Sequence, residues 1–354
     1  MTDSVVSDPS DAVSDPSDSP ADSRAARSRV PFSLLDLAQV GPGETVAQSL
    51  AHSLRMAQFA DRTGYRRIWY AEHHNMPAIA SAAPAVLVAH MAAHTSHIRL
   101  GAGGVMLPNH SPLAIAEQFG TLAELHPGRI DLGLGRAPGG DQATFTALRR
   151  TPAAAENFPG DVVELQRYFA GSSVHGVVAT PGAGTGVPLY ILGSSLFGAQ
   201  LAAALGLPYA FASHFAPQAL ERAVELYVRD FRPAPLPDGG QTEPYVMAAA
   251  TVIADDDVDR AYEQLRSAKL QRIKFLFNRG RHLSDADAAA LLDGPQGAQV
   301  DEMLRLAAVG TPDDVLGRLD RFAERIGADE LILAPLAGDR EVWFGTVEKL
   351  APSV

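Results

Sequence analysis

The sequence predicts a (β/α)8 barrel, the TIM-barrel architecture, with a helical insertion between the seventh and eighth strands. Three observations lead there. Short β-rich apolar runs alternate with helical stretches from Val30 to the C-terminus. The runs are continuously apolar, the mark of parallel strands buried on both faces. Eight of them fall in about 325 residues, a length that a barrel with insertions accommodates. A doubly wound sheet is the competing architecture. Its sign, Gly-x-Gly-x-x-Gly directly after the first strand, is missing, because GPGE at 41–44 has the wrong spacing.

VPFSLLDL (30–37) reads as the first strand, and residues 44–63 have helical spacing that ends at Gly64. RRIWYAE (66–72) is the second strand, followed by an Ala-rich helix over 84–95. IRLGAGGVML (98–107) is the third strand, with a helix over 112–126. RIDLGLG (129–135) is the fourth, and a less regular helical region runs from it to about Ala170. PLYILG (188–193), a helix over 195–205, YAFAS (209–213) and a helix over 216–231 continue the alternation. YVMAAATVIA (245–254) and ELILAP (330–335) supply the last two strands. The residues between them are mostly helical and are interrupted by DGPQG at 293–297.

Composition narrows the function. Hydrophobic residues make up 46% of the chain and charged residues 20%, which requires a buried core. The net charge of −12, with no long basic run, argues against nucleic acid as a partner. The absence of cysteine excludes disulfides, thiolate metal sites and thiol nucleophiles. No apolar stretch approaches the length of a membrane span, and no apolar signal core follows Met1, so a soluble, cytoplasmic protein is expected. Residues 1–29 stand apart: an acidic Ser/Asp/Pro segment with the near-repeat VSDPSDAVSDPSDSP, expected to be disordered. Residues 30–354 are expected to form the single barrel domain.

In such a barrel, chemistry sits at the C-terminal ends of the strands. The second strand ends in AEHHNMP, with Glu72, His73, His74 and Asn75. Adjacent histidines on a strand point in opposite directions, and neither His-x-His nor His-Glu-x-x-His occurs, so no metal site is expected. One histidine could equally pack or cap while the other faces solvent. The third strand carries Gly101, Gly103 and Gly104 and runs into Asn109 and His110. Glycines weaken a strand interior, so they imply a bulge, an unusual peptide, a tight bend or the close approach of a flat ligand. The fourth strand ends at Arg136, with Asp141 beyond it, and the fifth at Gly193, Ser194 and Ser195. That strand-to-helix turn offers free N–H groups and the positive end of a helix dipole, and Arg136 on the adjacent strand could close on the same anion. The plain alternative is a Ser N-cap beside a surface salt bridge.

AEHHN, GAGGVMLPNHSPLAIAEQF, PGRIDLGLGRAPG and LGSS, in that order at barrel positions, resemble the bacterial luciferase-like monooxygenases. The likeness runs from about Val30 to His214 and continues loosely through VGTPDDV (309–315); it is greatest to the single-chain oxidoreductases of actinobacterial type. The resemblance implies that His73 is the catalytic histidine beside a flavin. It implies a non-prolyl cis peptide at Gly103–Gly104 under the flavin ring, and Glu117 as a supporting residue. Arg136, with Gly193, Ser194 and Ser195, would hold the flavin phosphate. The light-emitting members carry a reactive cysteine just before the arginine; here that residue is Gly135. The implied activity is monooxygenation of a small uncharged organic substrate with reduced FMN and O2 through a C4a-hydroperoxyflavin. A separate flavin reductase would supply the cofactor, and a homodimer is common in the family. Deazaflavin-dependent hydride transfer on the same barrel, and a flavin-binding protein without turnover, are the alternatives.

Overall fold

The computed structural model describes residues 30–137, 140–234, 241–277 and 283–353. The expected acidic segment, 1–29, lies outside the described residues. All eight expected strands form: β1 (Phe32–Asp36), β2 (Arg67–Tyr70), β3 (Arg99–Met106), β4 (Ile130–Gly135), β5 (Leu189–Gly193), β6 (Tyr209–Phe211), β7 (Val246–Ala254) and β9 (Glu330–Pro335). Every neighbouring pair is parallel, and pairing of β1 with β9 and of β6 with β7 closes the barrel. A short strand that the sequence did not signal, β8 (Ala308–Gly310), pairs with the last residues of β7, from Val252 to Ala254.

The helices follow their strands. They are α1 (Val46–Arg62), α2 (Pro84–Ala93), α3 (Pro112–Leu125), α4 (Gln142–Ala147), α5 (Phe158–Phe169), α6 (Leu196–Leu205) and α7 (Leu220–Asp230). The less regular region after β4 resolves into α4, a 3-10 turn over 152–156 and α5. The insertion between β7 and β9 contains α8 (Val258–Phe277), α9 (Asp285–Leu292) and α10 (Pro295–Met303), and it packs around its own small core of Ile273, Ala288, Val300 and Leu304. After β8 come α11 (Pro312–Ile326) and, following β9, α12 (Arg340–Lys349).

Strand alternation separates two interiors. Residues such as Leu34, Ile68, Leu100, Leu132 and Ile191 pack outward under the helices. The opposite parity fills the barrel with Leu35, Trp69, Tyr190, Ala210, Met247 and Ile332. At the N-terminal end of the strands this inner stack becomes ionic. Arg67 Nη1 donates to Asp131 Oδ2 at 2.6 Å and to Tyr190 Oη at 2.7 Å, while Nη2 donates to Glu330 Oε2 at 3.1 Å. Ser33 donates to the other oxygen of Glu330, and Tyr245 donates to Oε2 at 2.8 Å. These groups plug the barrel floor. Ala71, Ala210, Ala249 and Ala334 give the same inner stack small side chains.

Candidate functional site

Parity along β2 sends Arg67, Trp69 and Ala71 inward, and the next residue of that parity is His73. Its backbone N–H donates to Ser81 O at 3.0 Å, which fixes the chain at the mouth. Its Nδ1 is buried and has no hydrogen-bond partner among the described residues. Burial lowers the pKa of the ring against the opposing charge of Glu72, so His73 is neutral near pH 7.

Glu72, of the other parity, is fully buried behind the mouth. Its Oε1 accepts from His74 Nε2 and from His110 Nε2, each at 2.8 Å, and its Oε2 accepts from the Met106 N–H at 3.0 Å. Burial works against its ionisation, but the bonds from His110, His74 and Met106 outweigh burial and hold its carboxyl below the usual range. The two adjacent histidines thus diverge. His73 enters the mouth and His74 turns back to the carboxylate. Among the described residues no group of three or more His, Asp or Glu could hold a metal.

Between β3 and β4 the register shifts from Ala102 to Val105, and the Gly103–Gly104 peptide is cis. Two glycines are required by close approach. A Cβ on Gly103 would come within 2.7 Å of Trp69 Cβ, and one on Gly104 within 2.7 Å of the Gly133 carbonyl oxygen. The bulge and the unusual peptide implied by the glycine-rich strand are therefore both present.

Arg136, at the end of β4, carries its guanidinium 4.2 Å over the Phe197 ring in the first turn of α6. Ser195 occupies the N-cap position in extended conformation, but its side chain makes no capping bond. The first-turn N–H groups of this ten-residue helix are left open for an anion, with Ser194 and Gly193 just before them. Arg136 has no carboxylate partner among the described residues; the ring of Phe197 orients it instead. Asn75 Nδ2 donates to Asp141 Oδ2 at 3.0 Å, which ties the β2 and β4 loops together.

The structure therefore brings His73, Gly103, Gly104, Arg136, Gly193, Ser194 and Ser195 to one end of the barrel. Glu117 lies elsewhere, on α3, where its charge bears on Tyr168 of α5 in the outer helix layer. Two further residues with perturbed electrostatics were not singled out from the sequence. His214 follows β6, with Nδ1 buried and unpartnered among the described residues; burial, the charge of Arg272 and His73 push its pKa down to about 3. The strand-end logic used for β2 to β5 would have reached His214 had it been carried on to YAFAS. Arg272, on α8, gave no such signal, since a helical arginine reads as solvent-facing.

The chain is similar to proteins of known family and fold. The family model described as luciferase-like monooxygenase matches residues 30–330. A luciferase-like monooxygenase of Escherichia coli (strain K12) is 44% identical over 316 residues, which cover 88% of this chain and 84% of that protein. The N-acetyl-S-alkylcysteine monooxygenase of Bacillus subtilis (strain 168) is 39% identical over 240 residues, 62% of this chain and 68% of that protein. The crystal structure of apo-MsnO8 superposes with a TM-score of 0.80 at 32% identity, covering 92% of this chain and 97% of that one. Two more distant structures share the fold. The oxygenating constituent of 3,6-diketocamphane monooxygenase from Pseudomonas putida, in complex with FMN, has a TM-score of 0.68 at 17% identity and covers 92% of this chain and 98% of that one. A coenzyme F420 dependent tetrahydromethanopterin reductase from Methanopyrus kandleri has a TM-score of 0.61 at 20% identity and covers 90% and 97%. The chain belongs to the luciferase-like monooxygenase family.

Proposed function

We propose that the protein is a flavin-dependent monooxygenase that takes reduced FMN from a separate reductase and uses O2 to oxygenate a small organic molecule. The observation that carries this reading is Arg136, without a carboxylate partner among the described residues and stacked on Phe197, beside the N-terminus of α6, which has no side-chain cap, at the same barrel end as His73. A riboflavin phosphate fits that arrangement, because the helix end and the guanidinium supply what a phosphate requires. The small side chains along the upper barrel leave room for a flat ring, and the orphaned Nδ1 of His73 gives it a polar neighbour.

When bound, reduced flavin supplies the two electrons that let O2 deliver one oxygen atom to substrate and the other to water. The chain's own residues do the rest. Arg136, Gly193, Ser194 and Ser195 bind and orient. Leu37, Ala71, Leu192 and Ala334 line the mouth and exclude water. His73, kept neutral by burial, accepts or returns a proton at Nδ1. Glu72 fixes the β2 and β3 ends around it through His74, His110 and the Met106 N–H. The Bacillus subtilis relative supports N-acetyl-S-alkylcysteines as a substrate class to try first.

The test is a titration of the purified protein with FMN, riboflavin and F420, followed by reduced FMN, 18O2 and N-acetyl-S-benzylcysteine. Selective FMN binding with one labelled oxygen atom in the product supports the reading. Preferential F420 binding replaces it with hydride transfer, and FMN binding without flavin-dependent O2 uptake reduces the protein to a carrier.

A further inference from the structure

We propose that His90 and His94, one helical turn apart at the end of α2, form a surface site for a divalent metal ion of the copper, nickel and zinc type. The proposal is independent of the flavin reading, because the pair lies at the opposite end of the barrel from His73. α2 starts after the C-terminal end of β2 and delivers the chain to β3 at Arg99, so its last turn stands beside the N-terminal ends of the strands.

The first support is geometry. Residues four apart on a helix share a face, and His94, the C-cap residue of α2, keeps that relation to His90. Both residues are exposed, and their ring centroids lie 4.6 Å apart with the planes at 49°. With metal–nitrogen bonds of about 2.0–2.1 Å, rings at that separation reach one ion from both sides. Helical zinc sites use the same spacing for the same reason: both imidazoles leave the helix in one direction.

The second support is the orientation of one ligand. His94 Nδ1 lies 2.8 Å from the His90 carbonyl oxygen. A carbonyl oxygen only accepts, so Nδ1 carries the hydrogen and the neutral ring keeps its lone pair on Nε2. Metal-binding histidines are held in this way, one ring nitrogen donating to a carbonyl or carboxylate and the other facing the ion. Below the pair, Thr95 Oγ1 donates to Met91 O at 2.8 Å, and Arg129 Nη1 donates to Thr95 O at 3.0 Å, which fixes the end of α2. The helix dipole favours a cation at that end.

Two imidazoles fill two coordination positions. No third His, Asp or Glu joins them among the described residues, so water completes the shell and the ion exchanges with solvent. His97, the next histidine, is engaged elsewhere, with Nδ1 3.9 Å from Asp61 Oδ1. The donor set selects the class of ion: imidazole nitrogen suits Cu2+, Ni2+ and Zn2+, whereas Mg2+ and Ca2+ require oxygen. The search for His-x-His and His-Glu-x-x-His passes over the pair, because its spacing is His-x-x-x-His with no Glu at the second position.

The experiment is calorimetric titration of the full chain, without an affinity tag, with NiCl2 and with MgCl2. One Ni2+ should bind per chain and Mg2+ should not. His90→Ala and His94→Ala should each weaken Ni2+ by about tenfold or more, at least the loss caused by removing an outer partner of a metal ligand. His97→Ala should leave the affinity unchanged. Substoichiometric Ni2+, which is paramagnetic, should broaden the imidazole signals of His90 and His94 in 1H–15N spectra before those of the other histidines. Both side chains are exposed, so each variant should melt like the parent without metal, and His90→Gln repeats the test with a good helix former. Absence of Ni2+ binding, an affinity unchanged in His90→Ala or His94→Ala, an equal loss in His97→Ala, or earlier broadening of another histidine would overturn the site and leave the pair as a ring contact on a capped helix end. FMN titration plays no part in this test, so failure of the flavin reading leaves it intact.

Discussion

Oε1 of Glu72 accepts a hydrogen bond from His110 Nε2 at 2.8 Å, joining the end of β2 to the turn after β3. The same oxygen takes His74 at the same distance, so one buried carboxylate sets both loops that flank His73. Glu72→Gln keeps the shape but loses the charge and one acceptor. The variant should lose about 2–3 kcal/mol at pH 7, the scale of hydrogen bonds to a buried charged group. The folded pKa of Glu72 lies below its ordinary 4.5, so its contribution is present above that pH and fades as pH falls through the folded value. Urea unfolding of both proteins across the acid range should therefore show the difference shrinking below pH 4.5. A gap that stays constant would mean that the carboxylate is not the partner.

Arg136→Ala should weaken FMN by roughly tenfold to a hundredfold, equivalent to about 1.5–3 kcal/mol, and leave riboflavin nearly unchanged. Phe197→Ala, which removes only the ring that orients the guanidinium, should produce a smaller loss, near the 0.5–1 kcal/mol of an exposed cation–π contact. Fluorescence titration with both flavins measures all four values. Equal losses for FMN and riboflavin would separate Arg136 from the phosphate.

His73→Ala should reduce product formed per reduced flavin consumed by about 10²–10⁴-fold, while FMN affinity changes by less than about tenfold. Peroxide release should rise to account for the lost coupling. His74→Ala is the contrasting variant, since that ring faces Glu72 and not the mouth. If His74→Ala uncouples the reaction and His73→Ala does not, the two roles are exchanged.

His214 makes a prediction about acid stability. Its folded pKa of about 3 lies below the ordinary 6.5, so the unfolded chain binds the proton more readily across that interval. Stability is then full above pH 6.5 and falls as pH drops below it, by at most about 1.4 kcal/mol per unit from this residue. Arg272 and His73, the charged and titratable groups that face it, act in the same direction. His214→Asn should flatten the decline measured by chemical denaturation between pH 6.5 and about 5, above the range where carboxylates titrate. An unchanged slope would place the acid sensitivity elsewhere.

At the barrel floor, Arg67→Met leaves Asp131 and Glu330 buried with their main partner gone. Removing one member of such a pair costs about 3–5 kcal/mol. Chemical denaturation should show a loss of that size, and flavin affinity should be unaffected in the folded fraction. A loss below about 1 kcal/mol would mean that Arg99, Arg66 and Tyr245 suffice to hold the two carboxylates.

The barrel was legible because parallel strands buried on both faces write themselves as unbroken apolar runs; RIDLGLG and YVMAAATVIA need no alternation to be recognised. β8 escaped because three residues, AVG, are too short to carry any period. Strand parity showed that His73 and His74 diverge, but the choice of His73 came from the family resemblance; Arg136 with the α6 turn was legible from their places at adjacent strand ends. The role of Phe197 was not, since a phenylalanine in the first helical turn reads as core. Glu72 stood next to the histidines in the sequence, yet its partner His110 lies 38 residues away, and only the fold shows that His74 and His110 share it. The influence of the Arg272 charge on His214 comes from residues far apart in the chain, a relation that no local pattern records.

The pairing of β8 with the tip of β7 has a mechanical consequence. The insertion leaves the barrel at Ala254 and returns at Ala308 hydrogen-bonded to the same strand, so both of its feet stand on β7. A segment anchored twice at one place has no single hinge about which to swing away. Its two ends are held in register with the barrel by that pairing. Backbone amides of Ala308–Gly310 should then exchange with solvent as slowly as those of β7, and those of α9 much faster. The insertion's own small core around Ile273 and Val300 is then a unit whose packing could be retuned without touching a residue of the barrel.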